Sequence, residues 1–352
     1  MLNFYLEPPK TRKKLAGGAK SRNHGDIKQL AKTLIASLDH VNEISDVNRY
    51  QLIQRYKSEN RVRYSDHYAY ITQSCRHLSK NGFFFEDDNL FACIGFHCEK
   101  NSFVLVNPIA KTAAYHKSLI KLCQCIYRKH RNQIYIKHVF RNMFDLLLTK
   151  PDFYEISRFP WTDDCYKDDN TYPEVVIDLG KTIADEKGRI PVKKIRLRVN
   201  RFYNNTTKNP VLLAYEGGAD VGLGKAVEGL IRRWSDYQES IVDSYANMIH
   251  HDIPDAISYV AKMGEDIVGF FVFGRIGKDT VGAYANVCDA KHHPGISEVL
   301  FLEAGKRLYH EHDITYVNFG GSEKKDLYRF KTKFSDMDIR TNHVQYVVYS
   351  ED

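Results

Sequence analysis

The sequence predicts an α+β protein built from two like-folded halves, each a mixed, mainly antiparallel sheet flanked by helices. Three observations carry this. Each half runs through the same succession of helices, a three-strand meander, a long helix, a strand, a helix and a further strand. Short polar turns, Asp87-Asp88-Asn89 in one half and Gly264-Glu265-Asp266 in the other, join the meander strands as antiparallel hairpins require. The 352 residues, 43% of them apolar, suffice for two cores at roughly 100–200 residues each. The expected divisions are a basic flexible arm over 1–24, a first domain over 25–180 and a second over 181–352. The halves share little sequence identity, so the repeated order of elements is itself the argument for duplication.

The arm carries Lys10, Arg12, Lys13, Lys14, Lys20 and Arg22 with no acid among them. A helix is expected over 27–41, with Leu30, Leu34 and Leu38 on one stripe, and further helices over 47–56 and 66–78. Strands follow over 83–85, 90–96 and 103–106, the last ended by Asn107-Pro108. Residues 112–130 read as a helix with Leu119, Leu122 and Ile126 inward, 133–139 as a strand and 141–148 as a short helix. The polar stretch 149–190 reads as a join that contains one strand, 172–179.

In the second half the segment 191–202 is helical by the spacing of Val192, Ile195, Val199 and Phe202, with Pro191 at its first position, although Ile195, Leu197 and Val199 also alternate. Helices are expected over 224–236 and 240–250, meander strands over 257–263, 267–274 and 281–288, and the long helix over 295–310. A strand over 314–319, a helix over 324–333 and a last strand over 344–349 close the half.

Charge and cysteine usage bound the function. Lys and Arg exceed Asp and Glu by 51 to 44, and a net +7 does not by itself specify a nucleic-acid partner. The seven cysteines form no C-x-x-C pair and no histidine cluster has zinc spacing, so no metal is expected; His250-His251-Asp252 and His292-His293 lack further ligands at a known spacing. An odd number of cysteines suits a reducing compartment, and no apolar run nears the ~20 residues of a membrane span. The expectation is a soluble cytoplasmic protein that at most touches a membrane surface.

Two stretches carry candidate chemistry. Ile314–Phe319 reads as a strand broken by Gly320-Gly321, after which Ser322 can cap a helix with Leu327, Phe330 and Phe334 on one face. Lys331 borders that face, while Arg329 and Lys333 point away, so an apolar anchor holds cations beside a strand end. Residues 191–202 carry Lys193, Lys194, Arg196, Arg198 and Arg201 together on one exposed side, a solvated face or a phosphate contact for tRNA or an anionic headgroup. A third stretch, Gly217 to Lys225, is glycine-rich but fails P-loop spacing, since Ala219 stands where the first glycine belongs and Ala226 replaces the hydroxyl residue.

The strand ending in Asn318-Phe319-Gly320-Gly321, followed by Phe330-Lys331-Thr332-Lys333-Phe334, resembles the end of Fem-type peptidyltransferases and of the C-terminal domain of phosphatidylglycerol lysyltransferases. The segment 191–202 resembles the basic helix that opens the second domain of the lysyltransferase-like proteins, at Lys193, Lys194, Arg196, Asn200, Arg201 and Phe202; Arg198 departs from that pattern. The resemblance covers roughly residues 190–335. It implies two GNAT-like (acyl-CoA N-acyltransferase-like) domains in tandem and an aminoacyltransferase that uses charged tRNA as co-substrate, without a bound cofactor. It also implies a role for Lys331 on substrate phosphate or transition-state charge, with Arg329 and Lys333 as accessory cations.

An ordinary GNAT enzyme cradles the CoA pyrophosphate on glycine-rich backbone between the third meander strand and the long helix. Here that place reads Asp289-Ala-Lys-His-His-Pro-Gly295-Ile-Ser in the second half and Asn107-Pro-Ile-Ala-Lys-Thr-Ala in the first, and neither makes the usual cradle. Transfer from an activated ester needs alignment and oxyanion stabilisation rather than a dedicated nucleophile, and the sequence holds no G-x-S-x-G elbow. Tyr284, Asn286 and Asp289 lie on or just after the third meander strand, where the reacting carbonyl is expected, and Asp289 or His292 could accept the amine proton. The function expected is transfer of an amino acid from tRNA to an amine or hydroxyl of a lipid, peptide or small molecule. The alternatives are an acyl-CoA-dependent N-acyltransferase with a degenerate pyrophosphate loop, and a non-catalytic binding protein on the same scaffold.

Overall fold

A computed structural model describes residues 24–45, 82–97, 100–156, 173–183, 188–238, 245, 248–249, 255–322, 325–334, 340–342 and 345–351. In chain order the elements are α1 (His24–Ala36), β1 (Val41–Glu43), β2 (Phe83–Glu86), β3 (Leu90–His97), β4 (Ser102–Ala110), α2 (Tyr115–His130), β5 (Ile134–Lys137), α3 (Arg141–Leu147) and β6 (Phe153–Ile156). Then come β7 (Glu174–Asp178), α4 (Leu179–Thr182), α5 (Lys193–Asn204), β8 (Val211–Ala214), α6 (Val221–Gln238), β9 (Ala256–Met263), β10 (Asp266–Arg275) and β11 (Thr280–Cys288). The chain closes with α7 (Ile296–Glu311), β12 (Tyr316–Asn318), α8 (Lys325–Thr332), β13 (Arg340–Asn342) and β14 (Tyr346–Tyr349).

These elements make an α+β fold with two seven-stranded mixed sheets, each flanked by helices. One sheet has the order β1-β2-β3-β4-β5-β14-β6, the other β13-β7-β12-β11-β10-β9-β8. In each, a four-strand antiparallel run is followed by one parallel step, β4 to β5 or β11 to β12, and then by antiparallel strands. The parallel step follows from the long helix that joins its two strands, since parallel neighbours need a crossover connection. The tandem GNAT-like architecture is thus present as expected. Two strands, however, change sheets. β7 lies before the second half in sequence yet pairs with β12 and β13, and β14 ends the chain yet pairs with β5 and β6.

The described residues between 173 and 342 form one compact unit; those between 24 and 156, with 345–351, form another. Each has its own apolar core. In the unit of β7–β13, Ile195, Val199 and Phe202 of α5 pack with Phe271 and Phe273 of β10, Leu300 and Phe301 of α7, and Phe334. In the other, Leu119, Leu122 and Ile126 of α2 pack with Phe103, Ile134 and Val347, as the helical spacing of α2 predicts.

Several local expectations change. The first helix ends at Ala36, and its buried positions are Ala31 and Ile35, whereas Leu30 is 59% exposed. Asn107-Pro108 does not end β4: the strand runs to Ala110 across a register shift. The join 149–190 contains a second strand, β6. Pro191 precedes α5 by two residues rather than opening it. Gly217 to Lys225 is a turn running into α6, where the Leu223 N–H donates to Asp220 Oδ1 at 2.8 Å. The helices expected over 47–56 and 66–78, the basic arm 1–24 except its last residue, and most of 240–250 lie outside the described residues.

Candidate active site

The site begins where β11 and β12 part. They pair only over Thr280–Gly282 and Tyr316–Asn318. Beyond Asn318 the chain turns to β7: the Phe319 N–H donates to Val175 O at 2.8 Å, and the Val175 N–H to Gly320 O at 3.3 Å. Beyond Gly282, β11 stays with β10 as far as Cys288. The two strands therefore splay and leave one edge of β11 free of β12. A bulge lies at the splay. Val272 faces Ala285 while Phe273 faces Ala283, so Tyr284 is the extra residue, and a bulge of this kind re-aims the side chain it carries. A Cβ at Gly282 would lie 2.9 Å from Tyr284 Oη, so the glycine is what lets the phenol fold back along its own strand.

A cavity of about 700 Å³ fills the splay. Much of its lining is aromatic and apolar: Trp234, Tyr245, Tyr284, Phe319, Leu327 and Phe330. Trp234 and Tyr245 meet edge to face at 5.5 Å. Polar groups complete the lining. Asn286 turns a buried Nδ2 with no hydrogen-bond partner among the described residues, while its Oδ1 receives only the weak Cys288 Sγ donor at 3.7 Å. An amide left so is costly, and a small shift of the side chains that cover it would offer its N–H to a carbonyl acceptor. Burial pushes the Cys288 thiol up to about 12, which excludes it as a neutral-pH nucleophile.

The N-terminus of α7 forms the floor. Gly295, at φ 95°, caps the helix, and a Cβ there would lie 3.0 Å from the Arg198 carbonyl oxygen and 3.2 Å from Phe202 Cβ. Helix α5 thus crosses close over the turn that would cradle a pyrophosphate. Within the first turn, Glu298 is 2% exposed and complements the helix dipole. Its Oε1 accepts from Lys333 Nζ at 2.6 Å and Arg198 Nη1 at 3.1 Å. The Lys333 ammonium also lies 3.7 Å from the Phe330 ring centroid. Burial holds the Lys333 pKa below the ordinary lysine value, and Glu298 opposes that shift.

A shallower cavity of about 610 Å³ adjoins the chamber and shares Arg198, Asp326, Phe330 and Lys333 with it. Its further lining includes Lys194, Arg201 and Arg329, so it is a basic vestibule between α5 and α8.

The sequence-derived candidates divide accordingly. Lys194, Arg201 and Arg329 line the vestibule; Tyr284, Asn286 and Lys331 line the chamber; Lys333 lines both. Lys193 is exposed and lines neither, and Arg196 donates instead to the Ile190 carbonyl at 2.9 Å. Asp289 lies outside both cavities, where its carboxylate accepts from His292 Nδ1 at 2.8 Å. Lys331 is 3% exposed and donates to the carbonyls of Gly320, at 3.2 Å, and Gly321, so its ammonium fastens the glycine corner. Lys333 does not point away from the apolar face as expected but packs over Phe330 toward Glu298. Ser322 Oγ, expected as a helix cap, is buried without a hydrogen bond among the described residues.

Glu298, Trp234 and Tyr245 line the chamber but are not among the sequence-derived candidates, and Arg198 is among them only as a surface cation. One signal existed: Glu298 is an acid within the otherwise apolar run Ile296-Ser-Glu-Val-Leu-Phe-Leu302. Among the described residues there is no group of three or more His, Cys, Asp or Glu able to hold a metal, and no helix long and apolar enough to cross a membrane.

No family model matches the sequence, and no match is found among curated proteins. Solved structures do match. A conserved protein of unknown function from Bacteroides thetaiotaomicron superposes with a TM-score of 0.65 at 15% identity, over 88% of this chain and 99% of that one. L-PGS from Bacillus licheniformis gives 0.55 at 14% identity, over 88% and 94%. FemX gives 0.52 at 8% identity, over 92% and 96%. At these identities the likeness is one of fold: the chain has the GNAT-like acyltransferase fold shared with L-PGS and FemX.

Proposed function

We propose that this chain is an acyltransferase whose reaction takes place in the chamber between β11 and β12. The observation that carries this is the Asn286 Nδ2, unpartnered among the described residues, beside the bulged Tyr284, at a strand splay that opens on a cavity of about 700 Å³. An acyl carbonyl placed there receives a hydrogen bond that strengthens as negative charge builds on its oxygen. An acceptor amine attacks the carbonyl carbon, the C–N bond forms, the bond to the leaving oxygen or sulfur breaks, and the proton of the amine ends on the leaving group. The residues supply alignment and oxyanion stabilisation, and no covalent enzyme intermediate is needed.

For the donor, the α7 N-terminus favours an aminoacyl ester of tRNA over acyl-CoA. The α5 backbone lies against Gly295, so a pyrophosphate there would lack room. The vestibule cations Lys194, Arg201 and Arg329 suit a phosphate backbone outside the chamber. Lys331 acts by holding the Gly320-Gly321 corner, and Lys333 by completing the Glu298 pair.

The test presents labelled aminoacyl-tRNA and labelled acyl-CoA side by side, with lipid and small-molecule extracts as acceptors. Label is expected to leave tRNA, and Asn286→Ala to slow this by about 10²-fold. Label leaving CoA alone would replace the donor. Label leaving neither would make the chain a binding protein on an acyltransferase scaffold.

A further inference from the structure

We propose that the chamber selects a large, neutral, apolar side chain, above all an aromatic one, on the group it receives, and rejects a cationic one. The role of this selectivity rests on the acyl-transfer reading; the binding itself does not.

Two independent features point this way. The first is the wall. Trp234, Tyr245, Tyr284, Phe319, Leu327 and Phe330 all line the cavity, and Tyr245 and Tyr284 are 4% exposed. Such rings present broad apolar faces and edges that a bound ring meets in offset or edge-to-face geometry. The chamber volume of about 700 Å³ is within the range of small-molecule sites.

The second is charge. The chamber lining carries three cations, Arg198, Lys331 and Lys333, and one enclosed carboxylate, Glu298. That carboxylate already takes two of the cations on its Oε1, and Lys331 is taken by the carbonyls of Gly320 and Gly321. The other acid, Asp326, has a side chain 91% exposed at the rim and pairs with Arg329 at 3.3 Å. A side-chain ammonium, which unlike an α-amine of pKa about 7.7–8.0 stays fully charged at neutral pH, would find like charges and no uncommitted acid among the described residues, in surroundings that screen charge poorly. A neutral ring meets no such penalty, and its carbonyl finds Asn286 Nδ2. The lining thus combines a polar group that orients the carbonyl with rings that read the side chain.

The test uses Trp234 as the reporter. The sequence has two tryptophans, so Trp161→Phe leaves Trp234 alone. The full chain is titrated with N-acetyl-L-phenylalaninamide and with N-acetyl-L-lysinamide while Trp234 emission is followed. The phenylalanine probe is expected to saturate the signal, with the lysine probe at least about 10-fold weaker. Asn286→Ala should weaken the phenylalanine probe by about 10-fold. Lys333→Met, which leaves Glu298 less neutralised, should narrow the gap between the probes by about 10-fold. Equal or tighter binding of the lysine probe overturns the proposal, as does failure of both probes to bind. Binding with the expected preference, together with silence in every transfer assay, would overturn the catalytic reading and leave this one standing.

Discussion

The two sheets part their strands at the same place and close the gap differently. In the first sheet the parallel pairing of β4 with β5 ends at Val106 and Lys137. The next residue on each strand, Asn107 at φ 49° and His138 at φ 58°, bends away in the left-handed region. The side chains then meet, His138 Nδ1 to Asn107 Oδ1 at 2.9 Å, both residues nearly enclosed. In the second sheet the pairing ends at Gly282 and Asn318, and the equivalent residues are Ala283 and Phe319, which cannot bond across the gap. Asn318 turns instead to Glu174, donating Nδ2 to Oε2 at 2.9 Å, and Phe319 packs on Phe301 at 5.0 Å. One splay is tied shut by a polar pair; the other is propped open by apolar packing and holds the chamber. The same register position thus carries a polar pair in one sheet and apolar residues beside the candidate site in the other.

Substitutions can break this contrast. The largest effect is expected from Glu298→Ala, which strands the Lys333 ammonium among Phe330 and Phe334; unfolding in urea should show a loss of about 3–5 kcal/mol at pH 7. Since burial already lowers the Lys333 pKa, the unfolded chain binds that proton more tightly than the folded one, and stability rises with pH through the window between the two values. The deficit of Glu298→Ala should therefore shrink as pH approaches the ordinary lysine range. A deficit that grows with pH would overturn the assignment of Lys333 as the stranded charge.

Asn107→Ala comes next. It removes the buried bond that ties the first splay, at about 1–3 kcal/mol, while probe binding in the chamber stays unchanged. A loss of probe binding would mean that the two splays are not separable in function. The smallest stability effect is expected from Gly282→Ala, about 1 kcal/mol, because the methyl displaces a side chain rather than backbone. Its readout is the chamber: moving Tyr284 should weaken the phenylalanine probe several-fold, and unaltered binding would remove Tyr284 from the site.

Much of the candidate site's location was legible in the sequence. The cations of α5 and α8 lie together at the vestibule, and Tyr284 and Asn286 fall on the strand whose edge opens. What misled was side-chain direction. The helical spacing of Leu327, Phe330 and Phe334 is consistent with Lys333 facing solvent, yet a long side chain near a helix end can swing over a ring to reach a buried carboxylate. Asp289 has the chemistry of a base, but a loop carboxylate is claimed by its nearest donors, here His292, before it can serve a distant carbonyl.

The amino-acid sequence alone determines the kind and order of the elements, because helical and strand periodicity, turn residues and the glycine at Gly264 act over a few neighbours. It also determines the absence of a glycine-rich pyrophosphate cradle. Tertiary structure alone decides which sheet receives β7 and β14, and which carboxylate the chamber encloses. Val175 and Ile177, like Val347 and Tyr349, are fully enclosed in their sheets, and such buried apolar strands would satisfy the edge of either one. The choice is made by backbone hydrogen bonds to strands far away in the chain, which no local pattern encodes.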